Sequence, residues 1–334
     1  VNQDYKYNDE PAAGAVADPD RLFELTAGER REGVEIAIPP GGRLLEREVD
    51  PVAMQVRDLK ARSHTDQLVV SLDQVAVEGA IADLGDPRFG MENGKLGYWD
   101  VFTFLWEVGP GIYFLEPYDP DRIPVLFVHG ALGYPQSFEA LAESLDRERF
   151  QPWFFYYPSG ASLDGISDFL SQRVARLQLR HGFDELVVVA HSMGGLVARS
   201  FILEHHEKVR DDPVRVFVSI STPWGGVASA ATGVEQSPVV VRSWRDVAPD
   251  SEFLRDLFFE DPEAQTTPRP LPRAVSHQLV FGVEDRTISL ASAARWEALR
   301  DADDRWPLAY DHTQILQSPE LFTLLGEILA RQAR

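Results

Sequence analysis

The chain has no cysteine among its 334 residues. That absence excludes disulfides, thiolate metal ligands and a cysteine nucleophile, and it leaves the redox compartment open. Lysine is nearly absent too: of 32 basic residues only Lys6, Lys60, Lys95 and Lys208 are lysine. Acidic residues number 53 and the formal net charge is -21. So acidic a surface argues against nucleic acid as a partner and against docking on an anionic membrane through a basic patch. No apolar run approaches the ~18 residues of a membrane-crossing helix. No internal repeat, low-complexity segment or leader pattern is found, and the chain starts at Val1. The expectation is an exported bacterial protein (periplasmic, lipid-anchored or secreted) whose signal is absent from this chain. What remains is ordinary for a globular protein: 44% hydrophobic and 25% charged residues, in a chain long enough to bury a full core.

Residues 1–20 are polar, rich in Pro, Gly and Ala, and without period, which predicts a flexible arm. Residues 21–116 are mixed and are expected to form an accessory region packed on the main domain. Strand candidates there are 34–38, 68–72 and 111–115. The aromatic stretch 97–106 is expected to seal this layer against the main sheet, with an acyl-binding wall as the alternative. From 117 to 334 the pattern sharpens into strands at 124–128, 153–157, 186–190, 214–220 and 277–282. Helices are expected at 137–147, 166–179, from the turn after 191 to about 205, and at 319–333. Fully apolar strands between amphipathic helices predict an α/β fold, a mostly parallel sheet covered on both faces. An insertion over about 224–273 interrupts the rhythm and is expected to form a cap.

Ser192 sits where an apolar strand meets a helix-patterned segment, with Ala190 two residues before it and Gly194 two residues after. This is the small-x-Ser-x-small spacing of a nucleophile elbow, in which strand and helix approach closely around a strained turn. The N–H of Met193 then faces a developing oxyanion at the helix N-terminus. After the 124–128 strand, His129-Gly130-Ala131-Leu132-Gly133 offers a second donor, best supplied by Ala131. Asp285 follows the 277–282 strand and His312 lies in the loop before the last helix. The order Ser192, Asp285, His312 is that of a triad on such a sheet. His312 takes and returns the serine proton, and Asp285 orients the imidazole. Glu284 and Asp311 are the alternative acids. His129 is expected to shape the oxyanion loop, and His191 to point away from the nucleophile.

With these residues the chain resembles the α/β-hydrolases. It is similar to bacterial lipases and esterases and to deacylases of glycosylphosphatidylinositol anchors, through 128–131, 190–195, 221–226, 282–285 and 311–312. The resemblance covers about 117 to the C-terminus and implies acyl hydrolysis without metal or cofactor. Ala190 stands where Gly is commoner, and Ala131 is smaller than the apolar residue many lipases carry there. The expected function is hydrolysis of carboxylic esters with apolar acyl chains, in small-molecule or lipid substrates, with transient contact at a lipid interface. Leu132, Trp224, Leu254 and Phe258 are the expected substrate-binding residues. A thioesterase, a complex-lipid or polyester deacylase, an amidase and a non-catalytic scaffold are the other readings.

Overall fold

Eight short segments, most of them rich in β-branched or aromatic residues, align as one sheet in the computed structural model, which describes residues 76–332 apart from 210–211 and 237–240. The expected arm at 1–20 and the strand candidates at 34–38 and 68–72 lie outside the described residues. The strands are β1 (Val77–Ile81), β2 (Gly111–Phe114), β3 (Ile123–Val128), β4 (Phe150–Tyr156), β5 (Leu186–His191), β6 (Val214–Ile220), β7 (Ser276–Gly282) and β8 (Asp304–Leu308). They lie in the order β1-β2-β4-β3-β5-β6-β7-β8, and only β2 and β4 pair antiparallel. The helices up to the elbow are α1 (Met91–Trp99), α2 (Val101–Glu107), α3 (Glu139–Glu143), α4 (Leu163–His181) and α5 (Met193–Lys208). The insertion carries α6 (Ala228–Gln236), α7 (Arg242–Val247) and α8 (Glu252–Asp256). The chain then adds α9 (Leu290–Ala293), α10 (Trp296–Asp301) and α11 (Pro319–Gln332). Among the described residues no helix is long and apolar enough to cross a membrane.

The period-two alternation of the strands divides the core into two layers. β3 sends Leu126 and Val128 to one face and Val125 and Phe127 to the other, and β5 separates Val188 and Ala190 from Val187 and Val189. Helix α4 covers the first face with Ile166, Leu170, Val174 and Leu177, and α5 adds Leu196, Val197 and Phe201. Helix α11 covers the second with Leu321, Leu325 and Ile328. Both faces are dry, which is why these strands are unbroken apolar runs in the sequence. Burying each such side chain contributes about 1.5–3 kcal/mol.

The sheet extends further toward the N-terminus than the boundary drawn at 116. β2 pairs with β4 from Gly111 opposite Tyr156 to Phe114 opposite Trp153, and β1 pairs with β2. β1 and β2 are therefore strands of the main sheet, with α1 and α2 between them. Gly79, at φ +73°, breaks the β1 pattern with a register shift between Glu78 and Ala80. The aromatic stretch 97–106 spans the end of α1 and most of α2, because Asp100 caps α2 by accepting the Thr103 N–H at 3.0 Å. β8 also escapes the sequence pattern. It is an edge strand with Pro307 and two charged residues, and its inward side chains are only half-buried.

Candidate active site

The parallel strands bring their C-terminal ends to one edge of the sheet, where ligand sites of open α/β sheets form. There β5 ends at His191, α5 begins at Met193, and Ser192 between them holds φ 56° and ψ -133°. Its N–H donates to the Ile220 carbonyl at 2.8 Å, which ties the strained residue to β6. The small residues after it are required by contact. A Cβ on Gly194 would lie 2.3 Å from the His129 carbonyl oxygen, and one on Gly195 would lie 1.9 Å from Thr222 Oγ1. Gly194→Ala forces a methyl against backbone that has no flexible end to yield. The expected cost is about 1–3 kcal/mol, read as a Tm lowered by at least ~2 °C. An unchanged Tm would contradict this packing.

His312 lies in the loop between β8 and α11. Its Nε2 is 2.9 Å from Ser192 Oγ, and its Nδ1 is 2.7 Å from Asp285 Oδ2. An ionised carboxylate only accepts, so Nδ1 carries the proton and Nε2 keeps a lone pair for the serine O–H. Asp285 Oδ1 accepts the N–H groups of Thr287 and Ile288, both at 2.8 Å. Burial pushes the Asp285 carboxyl up, but the hydrogen bonds from His312, Ile288 and Thr287 outweigh it and hold the group below its ordinary range. The other two acids are placed differently. Glu284 is exposed, and Asp311 accepts the N–H groups of Thr313 and Gln314 at 3.0 and 2.8 Å.

The loop after β3 passes directly against Ser192. A Cβ on Gly130 would fall 2.7 Å from Ser192 Cβ and 3.1 Å from its Oγ, so only glycine fits there. Among the described residues no acceptor takes the Ala131 N–H. Met193 opens α5, and its N–H is one of the donors that a helix cannot satisfy internally. His129 is held between this loop and Tyr157. Its Nδ1 donates to the Gly130 carbonyl at 2.9 Å, its Nε2 accepts the Tyr157 N–H at 3.3 Å, and its ring stacks on Tyr157. Burial lowers its pKa to about 4, so it is neutral at pH 7.

The family model described as alpha/beta hydrolase fold matches residues 123–270. The chain has the α/β-hydrolase fold. Among solved structures it is similar to Aspergillus fumigatus lipase B, at 16% identity and TM-score 0.49, over 66% of this chain and 55% of that one. The lin2722 gene product of Listeria innocua aligns at 17% identity and TM-score 0.47, over 63% of this chain and 94% of that one. Bacillus licheniformis lipase BlEst2 aligns at 14% identity and TM-score 0.47, over 64% and 94%. No curated protein sequence matches the chain.

Within this fold the residues expected to meet substrate separate into two groups. Leu132, at φ +58°, is 40% exposed beside Ala131, and its N–H donates to Ser159 Oγ at 3.1 Å. Trp224, Leu254 and Phe258 are buried, and Trp224 meets Phe258 edge-on at 5.8 Å between ring centroids. These three anchor the insertion to the core instead of facing an open pocket. Arg199 of α5 reinforces the anchor. Its Nε donates to the Leu257 carbonyl at 2.8 Å, its Nη2 pairs with Asp301 at 2.5 Å, and its guanidinium lies 4.4 Å from the Phe258 ring centroid.

Of α1, only its aromatic end from Gly97 figured in the sequence pattern, as an alternative acyl-binding wall. A Cβ on Gly94 would lie 2.8 Å from the Leu132 carbonyl oxygen and 2.7 Å from that of Gly133, so α1 rests on the loop after β3. The Gly160 N–H donates to the Gly97 carbonyl at 3.0 Å, which joins α1 to the loop after β4. At its far end α1 meets the insertion: Trp244 Nε1 donates to Tyr98 Oη at 2.5 Å, and Trp99 meets Trp244 edge-on. Glycines at 94 and 97, one helical turn apart amid aromatics, were the available signal for so close an approach. Beside His312 a cavity of about 470 Å³ opens, lined by Glu284, Arg286, Thr287, Asp311, Thr313 and Gln314. Among the described residues no group of three or more His, Asp or Glu side chains is set to hold a metal ion.

Proposed function

We propose that the chain is a serine hydrolase of carboxylic esters. The observation that carries this reading is the continuous relay from Ser192 Oγ through both nitrogens of His312 to Asp285. Ser192 Oγ attacks the ester carbonyl as His312 Nε2 takes its proton, and Asp285 stays ionised beside the imidazolium. The carbonyl oxygen becomes an oxyanion facing the N–H groups of Ala131 and Met193. Collapse breaks the bond to the alcohol oxygen, which leaves with the proton from His312, and the acyl group remains on Ser192. A water molecule then gives its proton to His312 and its oxygen to the acyl carbon. The carboxylic acid departs and the proton returns to Ser192.

The acyl chain is apolar in this reading, supported by exposed Leu132 beside Ala131. The alcohol departs on the side of His312, where the polar cavity suits hydroxylated alcohols such as glycerol. Hydrolysis rates on aryl and glyceryl esters of increasing chain length, beside the matching thioesters and amides, test the proposal. Turnover of esters with an optimum at an apolar chain is the expected result; turnover of thioesters or amides alone would overturn it.

Leu254→Ala and Leu132→Ala separate core from pocket. The first is expected to lower stability by about 2–5 kcal/mol without changing chain-length preference. The second is expected to shift that preference with little loss of stability. Melting curves and the same ester series check both.

A further inference from the structure

We propose that His191 is a positioning residue that holds the His312 loop in register with Ser192. This rests on the reading of His312 as the base. His191 ends β5 and directly precedes Ser192, and its ring meets the His312 loop. Its Nε2 is 2.8 Å from the backbone carbonyl oxygen of His312, and the two rings lie 4.7 Å apart between centroids. A carbonyl only accepts, so His191 Nε2 carries a proton and donates it. The ring is 8% exposed, so water does not compete for this bond.

The physical consequence follows from where each group sits. Connecting loops are the mobile parts of a sheet fold, and His312 lies on one. β5 is an interior strand between β3 and β6, and it fixes the backbone of Ser192 and His191 together. A donor on that strand therefore sets nucleophile and base from one rigid element, and a 1 Å misplacement of such groups costs on the order of 10²-fold in rate. The groups facing His191 are His312, Asp285 and His129; burial, with His312 next, lowers its pKa to about 3. His191 thus stays a neutral donor when His312 becomes an imidazolium, and adds no second positive charge beside it.

Three substitutions in the full chain test the assignment. Gln places its Nε2 donor at nearly the reach of the imidazole Nε2, Asn is too short, and Phe has no donor. H191F and H191N are expected to lower kcat on an aryl ester by about 10- to 100-fold, with KM within about threefold. H191Q is expected to restore most of the loss. Melting curves show whether each variant is folded at the assay temperature, and if H191F is not, the Asn and Gln pair carries the comparison. Wild-type kcat in H191N, or an H191Q no better than H191N, would overturn the proposal. If the wild type turns over no ester, the ester reading fails on its own. The rate at which a fluorophosphonate labels Ser192 then reads His191 separately, with wild type and Gln expected faster than Asn and Phe. Equal labelling rates would remove the positioning role.

Discussion

Ser192→Ala is expected to lower kcat on esters by about 10⁴- to 10⁶-fold while KM and the melting temperature stay near wild type. Only the hydroxyl is lost. The Ser192 N–H still reaches the Ile220 carbonyl, and alanine takes the left-handed backbone of the turn no worse than serine does. The N–H groups of Ala131 and Met193 remain in place, so the residual rate reports what they and substrate binding contribute without the nucleophile. His312→Ala is expected to cost nearly as much, since a neutral serine is a weak nucleophile without its base. The double variant is expected to be no slower than either single one, because the two residues act as a unit. Steady-state kinetics on one aryl ester measures all three. Multiplying losses in the double variant would mean that Ser192 and His312 act independently.

Lowering the pH is expected to unfold the protein well before ordinary carboxylate titration is complete. His129, His191 and His277 are all buried, and burial lowers their pKa values to about 4, 3 and 3. In the unfolded chain each titrates near ~6.5. Between those limits the unfolded state binds more protons than the folded one, so stability is fully present above ~6.5 and falls as pH drops. Each histidine contributes a slope of about 1.4 kcal/mol per pH unit in that window. Four acids oppose them. Asp164 is raised to about 6 and Glu204 to about 7, and Asp246 and Asp256 are raised as well, all first by desolvation, so the folded state holds their protons in part of the same range. Asp164 and Glu204 are nearer solvent than the histidines, and screening weakens their share. The net slope is on the order of 1–3 kcal/mol per pH unit, against a total stability of about 5–15 kcal/mol. Tm is therefore expected to fall steadily below about pH 6.5. His277→Gln, whose amide can replace the bond to Ser219, is expected to flatten the curve. A Tm constant from pH 7 to 4.5 would contradict this account.

The parts of the fold that were legible in the sequence are those where local pattern and burial agree. β5, β6 and β7 are continuous apolar runs because both their faces are covered, and their predicted bounds lie within one residue of the observed ones. Ser192, Asp285 and His312 were legible because the chemistry demands their residue types, each at a strand end or in the loop before the last helix. What escaped depends on approach between distant segments. α1 approaches the loops after β3 and β4 through the absence of side chains at Gly94 and Gly97, and such a signal has no periodicity. β8 is held by pairing with β7 along one edge, so its own sequence carries little apolar pattern. Leu254 and Phe258 form an apolar stripe that suits a core anchor as well as a pocket wall, and burial against Trp224 decides for the anchor. The contact of His191 with the His312 loop was not legible, because turn geometry alone does not show which loop comes to meet a side chain.

The central claim is that an acyl group rests on Ser192 during turnover. Rapid-quench mass spectrometry with a slowly hydrolysed ester tests it most directly. The account predicts a transient mass increase equal to the acyl group, mapped to the peptide containing Ser192, that decays as the carboxylic acid appears. Ester turnover with no adduct, or with the adduct on another residue, would contradict it.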